Sequence, residues 1–105
     1  MMDLDLNDVV SATGGRLFSS ARVSVLRGFS IDSRSIVPGN VFIAVKGNNF
    51  DGHDFIKEAV SGGACLVIAE RVPSGHEFTE RTPFILVEDS INAMGKVAGL
   101  IRKSF

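Results

Sequence analysis

The sequence predicts an α/β domain, with a small mixed β-sheet of about five strands flanked by helices. Three observations carry that reading. Residues 41–45, 66–69 and 84–87 are each apolar throughout rather than alternating. Strands that read this way are covered on both faces, which requires helices on each side of the sheet. Between and after these runs, apolar residues recur at helical spacing. The chain has 105 residues, 45% of them hydrophobic, with a mean hydropathy of +0.24. That suffices for one packed core and is short for two.

In chain order, Asp5 is placed to cap a first helix, whose apolar residues Leu6, Val9 and Val10 stand at i, i+3 and i+4. Gly14-Gly15 ends it, because glycine accepts the left-handed conformation that follows many helices. Residues 16–18 and 23–26 read as short strands joined by a turn at 19–21, and residues 29–31 continue as strand or bend. Pro38-Gly39 fits the centre of a type II turn, since proline presets the first dihedral and glycine supplies the positive one. Asp51-Gly52 marks a second turn, with Asp51 or His53 capping the helix that follows. That helix presents Phe55, Ile56, Ala59 and Val60 on one stripe, with Lys57 and Glu58 off it, and ends at Gly62-Gly63. Strand, helix and strand joined this closely predict a parallel, right-handed βαβ unit. Residues 70–83 read as a long polar loop. Asp89 or Ser90 caps a last helix on which Ile91, Met94, Ala98 and Ile101 form the apolar stripe.

Composition excludes several functional classes. A net charge of -1 gives no electrostatic footprint for nucleic acid or an anionic membrane. The lone cysteine, Cys65, excludes an intrachain disulfide and a cysteine-based zinc site, and its apolar surroundings predict a buried, inert thiol. The acidic N-terminus lacks the basic flank of a signal peptide, and no apolar run approaches the roughly 20 residues of a membrane span. A soluble cytoplasmic monomer is the expectation.

The chemistry concentrates between residues 31 and 55. Asp32, Ser33 and Arg34 bring a carboxylate, a hydroxyl and a guanidinium to a strand end, where they can bind a nucleobase or a phosphate. Equally, Asp32 can accept backbone N–H groups and pair with Arg34 within its own turn. Gly47, Asn48, Asn49, Phe50, Asp51, Gly52 and His53 have the composition of a ligand loop. Their glycines permit close backbone approach, and their asparagines offer donors and acceptors. The competing reading is an ordinary turn with a helix cap. Nothing in the spacing aligns Ser33 and His53 into a hydrolase triad. No G-x-x-x-x-G-K-[ST] loop is present: Gly95-Lys96 is followed by Val97, and Ser90 stands where the first glycine is required. The motifs G-x-G-x-x-G, H-E-x-x-H and G-x-S-x-G are also missing, so no metal site, cofactor site or catalytic motif of the chain's own is expected.

In order, the chain carries D-S-R, P-G-x-x-F-x-A-x-K-G, F-D-G-H-D-F-I, G-A-x-x-V-I-A-E and I-L-V-E-D-S. This succession resembles the N-terminal domain of the Mur ligases, the ATP-dependent amide ligases of peptidoglycan precursor synthesis. A-T-G-G-R-L near the start and D-S-I-N-A-M-G-K-V-A-G-L-I-R at the end are most similar to one branch of the family. That branch joins D-alanyl-D-alanine to a UDP-N-acetylmuramoyl-tripeptide; the branch that adds the third amino acid is the alternative. The resemblance implies a domain that binds the uridine end of a UDP-N-acetylmuramoyl peptide. Ser33 would contact the uracil or the adjacent diphosphate, with Asp32, Arg34 and Gly47 beside it. Asn48, Asn49 and Phe50 would close over the uridine, and Asp51, Gly52 and His53 would shape the loop and the helix entry. ATP and Mg2+ would belong to a covalently following ATPase domain outside this chain, so residues 1–105 are expected to be a single excised, non-catalytic domain or a naturally short relative. A stand-alone interaction module that docks through its last helix is the alternative from another class.

Overall fold

The computed structural model describes residues 5–18, 26–71 and 82–103. The chain enters with helix α1 (Leu6–Thr13), whose N-terminus is capped as its sequence requires: Asp5 accepts the N–H of Asn7 at 2.8 Å. Gly14 closes the helix at φ 67°, donating its N–H to the Val10 carbonyl. Five strands follow: β1 (Arg16–Phe18), β2 (Phe29–Ser30), β3 (Val41–Ile43), β4 (Leu66–Ala69) and β5 (Phe84–Leu86). Helix α2 (Ile56–Ser61) lies between β3 and β4, and helix α3 (Ser90–Lys103) follows β5. Single 3-10 turns occupy Ser33–Ser35 and Gly52–Phe55.

The strands form one mixed sheet in the order β1-β5-β4-β3-β2. β2, β3, β4 and β5 run parallel, and β1 joins β5 antiparallel at the edge. Val41, Phe42, Ile43 and Ala44 are wholly buried, as are residues 66–69, which is why these runs show no polar alternation. Within each run the pleat sends alternate residues to opposite faces. Val41, Ile43, Leu66, Ile68 and Ile85 meet Val9 of α1 and Ala93 and Val97 of α3. Phe42, Ala44, Val67, Ala69 and Phe84 meet Ile56 and Ala59 of α2, together with Ile36. The sheet is therefore a central layer with α1 and α3 on one face and α2 on the other.

The turn at residues 37–40 is built as expected. Gly39 has φ 93°, and the Asn40 N–H reaches the Val37 carbonyl at 3.0 Å. The end of α2 at Gly62-Gly63 is as expected, with Gly62 at φ -80° as the cap and Gly63 at φ 111° supplying the left-handed residue. Several other expectations need correction. Strands β3 and β5 stop at Ile43 and Leu86, short of Val45 and Val87. Cys65 is half-buried, its thiol donating to the Gly39 carbonyl at 3.1 Å, and burial pushes its pKa up. Of the two caps expected for α3, Asp89 is the one used, accepting the N–H groups of Ile91 and Asn92 at 3.0 and 3.1 Å. The buried face of α3 is also rotated from the expected stripe: Ile91 is 58% exposed, and Ala93 and Val97 enter the core. Of the strand expected over 23–26, only Leu26 is described, in an isolated bridge; the turn at 19–21 and most of the polar loop at 70–83 lie outside the described residues.

Candidate functional site

Parallel strands leave the sheet at the same edge, so the segments after β2 and β3 are neighbours. After β2 the chain makes a tight polar turn. Asp32 caps the 3-10 turn Ser33–Ser35 by accepting the Arg34 N–H at 2.9 Å. The same carboxylate takes the Arg34 guanidinium in a two-pronged pair, Nε at 3.1 Å and Nη2 at 3.0 Å. That pairing and the Arg34 N–H hold the Asp32 carboxyl below its ordinary pKa, and the carboxylate in turn raises that of Arg34. Arg34 remains 86% exposed, so the pair is screened and fixes orientation more than stability. Ser33 is held differently: its hydroxyl donates to Glu58 Oε2 of α2 at 3.1 Å.

After β3 the chain folds back as a small hairpin. Lys46 and Asp51 form an antiparallel bridge, the Gly47 N–H reaches the Phe50 carbonyl at 2.8 Å, and the Gly52 N–H reaches Val45 at 2.9 Å. Gly52 lies against the strand so closely that a Cβ there would sit 2.8 Å from the Val45 nitrogen. The hairpin carries Phe50 outward, 53% exposed, where its ring meets Phe55 edge-on at 6.3 Å between centroids and 68° between planes.

Together these segments enclose a cavity of about 500 Å3 lined by Ile31, Asp32, Ser33, Arg34, Phe50, Phe55 and Glu58. That size lies within the range of small-molecule sites, and the position outside the carboxyl ends of the strands is the one open parallel sheets favour for ligands. Of the residues singled out from sequence, Asp32, Ser33, Arg34 and Phe50 line it. Gly47, Asn48 and Asn49 lie exposed on the hairpin beyond that lining, and Asp51, Gly52 and His53 sit at the hairpin's base. Sequence reasoning missed Ile31, Phe55 and Glu58. Phe55 does not share the core-facing stripe of Ile56 and Ala59: it is 36% exposed and faces the cavity. No helical spacing marked the pair, because Phe55 ends the 3-10 turn before α2 while Glu58 stands on α2.

The hairpin base is a polar cluster. Asp51 accepts the His53 N–H at 3.0 Å and approaches His53 Nδ1 at 2.7 Å and Arg71 Nη2 at 3.1 Å. These donors hold the Asp51 carboxyl far below the usual carboxylate range, the His53 N–H contributing most. His53 Nε2 accepts the Glu70 N–H at 2.9 Å, and the Glu70 carboxylate accepts the Ser90 N–H at 2.9 Å. With Ser33 bonded to Glu58 and both ring nitrogens of His53 engaged elsewhere, no Ser33–His53 triad is formed. Among the described residues no cluster of His, Cys, Asp and Glu could hold a metal ion. None of the described helices is long and apolar enough to cross a membrane.

The profile described as Mur ligase family, catalytic domain, matches residues 25–100. The chain belongs to the Mur ligase family. Among its Mur relatives, the UDP-N-acetylmuramoyl-L-alanyl-D-glutamate–2,6-diaminopimelate ligase of Aquifex aeolicus is 41% identical over 73 residues, 70% of this chain and 14% of that one. The UDP-N-acetylmuramoyl-tripeptide–D-alanyl-D-alanine ligase of Buchnera aphidicola subsp. Acyrthosiphon pisum is 31% identical over 103 residues, 98% of this chain and 21% of that one. The solved MurF of Acinetobacter baumannii superposes with a TM-score of 0.83 at 24% identity, over 99% of this chain and 22% of that chain, which establishes the shared fold. MurF ligase from Thermotoga maritima, solved in complex with ADP, is 42% identical with a TM-score of 0.62 over 75% of this chain and 17% of that chain. The chain thus spans about a fifth or less of the length of these relatives.

Proposed function

We propose that this domain binds the uridine end of a UDP-N-acetylmuramoyl peptide and orients it for ATP-dependent amide-bond formation in peptidoglycan precursor synthesis. The observation that carries the reading is the cavity itself, which brings the Asp32–Ser33–Arg34 turn and the aromatic hairpin onto one site. Phe50 and Phe55 offer ring faces and edges for a base, and base–aromatic stacking contributes about 1–3 kcal/mol per base. The lining holds one cation, Arg34, against two carboxylates, Asp32 and Glu58, and Arg34 is already paired with Asp32. That balance suits a base and ribose, which offer hydrogen-bond donors, better than it suits phosphate. The diphosphate is accordingly assigned to the mouth of the cavity, near Arg34. Asn48 and Asn49, exposed on the hairpin, would close over the bound nucleotide in this reading.

ATP and Mg2+ would be held by a following domain of the whole enzyme, and this domain would contribute binding and orientation. Binding energy from a remote part of a substrate can be used to align its reacting end. Cytoplasmic localisation, a monomeric state and the dipeptide-adding rather than the third-residue-adding reaction belong to the same proposal. The last rests on the wider span of the match to the tripeptide ligase, against the higher local identity to the diaminopimelate ligase.

The test is a two-dimensional amide NMR titration with UDP and then UDP-N-acetylmuramic acid. Shifts confined to Ile31–Arg34, Asn48–His53 and Phe55–Glu58 are expected. No shift at millimolar ligand, in this chain and in the whole enzyme, would overturn the assignment.

A further inference from the structure

We propose that His53 is the positioning residue that sets the stance of the aromatic hairpin over the cavity, an inference that rests on the cavity being the nucleotide site. The imidazole is buried, its side chain 3% exposed, and both ring nitrogens are used. A backbone N–H can only donate, so the 2.9 Å contact with Glu70 N makes Nε2 the acceptor. The ring proton then sits on Nδ1 and is donated to Asp51 Oδ1 at 2.7 Å. In this tautomer His53 bridges two loops that have no covalent link near the site: the base of the hairpin at Asp51 and the end of β4 at Glu70.

Each partner is itself anchored. Asp51 pairs across the hairpin with Lys46 and receives Arg71 from beyond β4, while the Glu70 carboxylate holds the Ser90 N–H at the start of α3. The charged groups around the ring are thus Asp51 and Arg71 on one side and Glu70 on the other. Phe50 is the next residue to Asp51 and shares the hairpin closed by the Gly47–Phe50 hydrogen bond. Fixing Asp51 therefore fixes the backbone that carries the Phe50 ring. His53 lies outside the cavity lining, so its effect on a ligand passes through that backbone and not through contact.

Three variants test this. His53→Ala removes both bonds. His53→Gln can return an acceptor oxygen to the Glu70 N–H, and His53→Asn can return a donor to Asp51 only. Loss of a buried hydrogen-bonded bridge predicts UDP affinity about tenfold weaker in His53→Ala. His53→Gln should recover much of the loss, because it leaves no orphaned N–H, and His53→Asn should recover less. A histidine of merely structural importance would lower the urea midpoint and leave the affinity of the folded fraction unchanged; that result overturns the proposal. Imidazole nitrogen NMR of the wild-type chain should show a protonated Nδ1 and an unprotonated Nε2, and the opposite assignment overturns it whether or not His53→Ala folds. If wild-type protein fails to bind UDP, the nucleotide reading falls separately. Positioning is then decided by amide exchange, with loss of protection at Gly47 and Gly52 in His53→Asn supporting it and unchanged protection overturning it.

Discussion

The hairpin that forms one wall of the cavity contains two glycines, and the structure predicts opposite outcomes when each becomes alanine. At Gly52 an added Cβ would lie 2.8 Å from the Val45 nitrogen, 3.0 Å from its oxygen and 3.1 Å from the Ala44 Cα. All three are backbone atoms, so no side chain can swing aside. Nor can the strand retreat, since Ala44 is tied to Ile68 by a 2.9 Å hydrogen bond and is wholly buried. The hairpin must therefore lift, breaking the Gly52–Val45 hydrogen bond. Overpacking of this kind costs typically about 1–3 kcal/mol and a lost backbone bond about 1 kcal/mol, so Gly52→Ala should destabilise by about 2–4 kcal/mol. At Gly47 the nearest atoms to a new Cβ are 3.4 and 3.5 Å away, ordinary contact with Phe50, and the backbone there is not left-handed. Gly47→Ala should stay within about 0.5 kcal/mol of the wild type. Urea unfolding measures both, and the UDP titration reports whether the lifted hairpin of Gly52→Ala carries Phe50 off the cavity. Equal midpoints for the two variants, or an unperturbed Phe50 amide in Gly52→Ala, would refute the reasoning.

Other perturbations separate core, surface and polar cluster. Phe42→Ala empties a wholly buried ring site between α2 and the sheet and should cost about 3–5 kcal/mol by urea unfolding. Ile91→Ala should change stability by no more than about 0.5 kcal/mol, because Ile91 stands in solvent on α3. The depressed Asp51 pKa stabilises the fold fully above the ordinary carboxylate value of 3.8, and that contribution is lost as pH falls below it toward the folded value. The urea midpoint should therefore drop below about pH 4, and Asp51→Asn should flatten part of that drop. Cys65, half-buried with a raised pKa, should be alkylated more slowly in the folded chain than in urea, as followed by mass spectrometry.

The inner strands were legible because burial on both faces leaves a continuous apolar run, and the cap at Asp5 because a short side-chain acceptor serves an orphan N–H group. The cap expected on the second helix was misplaced: Asp51 caps the 3-10 turn Gly52–Phe55, and α2 itself begins after Phe55 with no side-chain cap. The helix phases were harder to read. On α3 the large residues Ile91 and Met94 suggested the stripe, but at the N-terminal turn the core is reached through the small Ala93. Phe55 was misassigned for a geometric reason: it ends a 3-10 turn, which advances three residues per turn, and so falls out of phase with the α-helix that begins at Ile56. The two polar loops drew attention for their composition, and Asp32, Ser33, Arg34 and Phe50 do meet. The same composition gave no means of telling cavity residues from supporting ones. Glu70 and Arg71 read as the start of a loop, and their bonds to His53 and Asp51 span 17 and 20 positions in sequence, beyond the reach of local pattern.

The cavity depends on strand direction more than on any one residue. β2 and β3 are adjacent and parallel, with Phe29 beside Val41 and Ser30 beside Phe42, so both chains exit at one edge. If β2 ran antiparallel, the Asp32 turn would emerge at the opposite end of β3, about 10 Å away for three residues at roughly 3.3 Å each. The crossover from Asp32 back to Val41 is made possible by Ile36, which packs into the α2 face, and by the turn at Gly39. The same crossover places Ser33 against Glu58, so the floor of the cavity is fixed from two elements independently of the hairpin. One wall is thus a self-satisfied polar turn bonded to a helix. The other is an aromatic hairpin whose anchorage depends on Gly52, Asp51 and His53. Substitutions at those three positions should change how the cavity closes while leaving its floor in place.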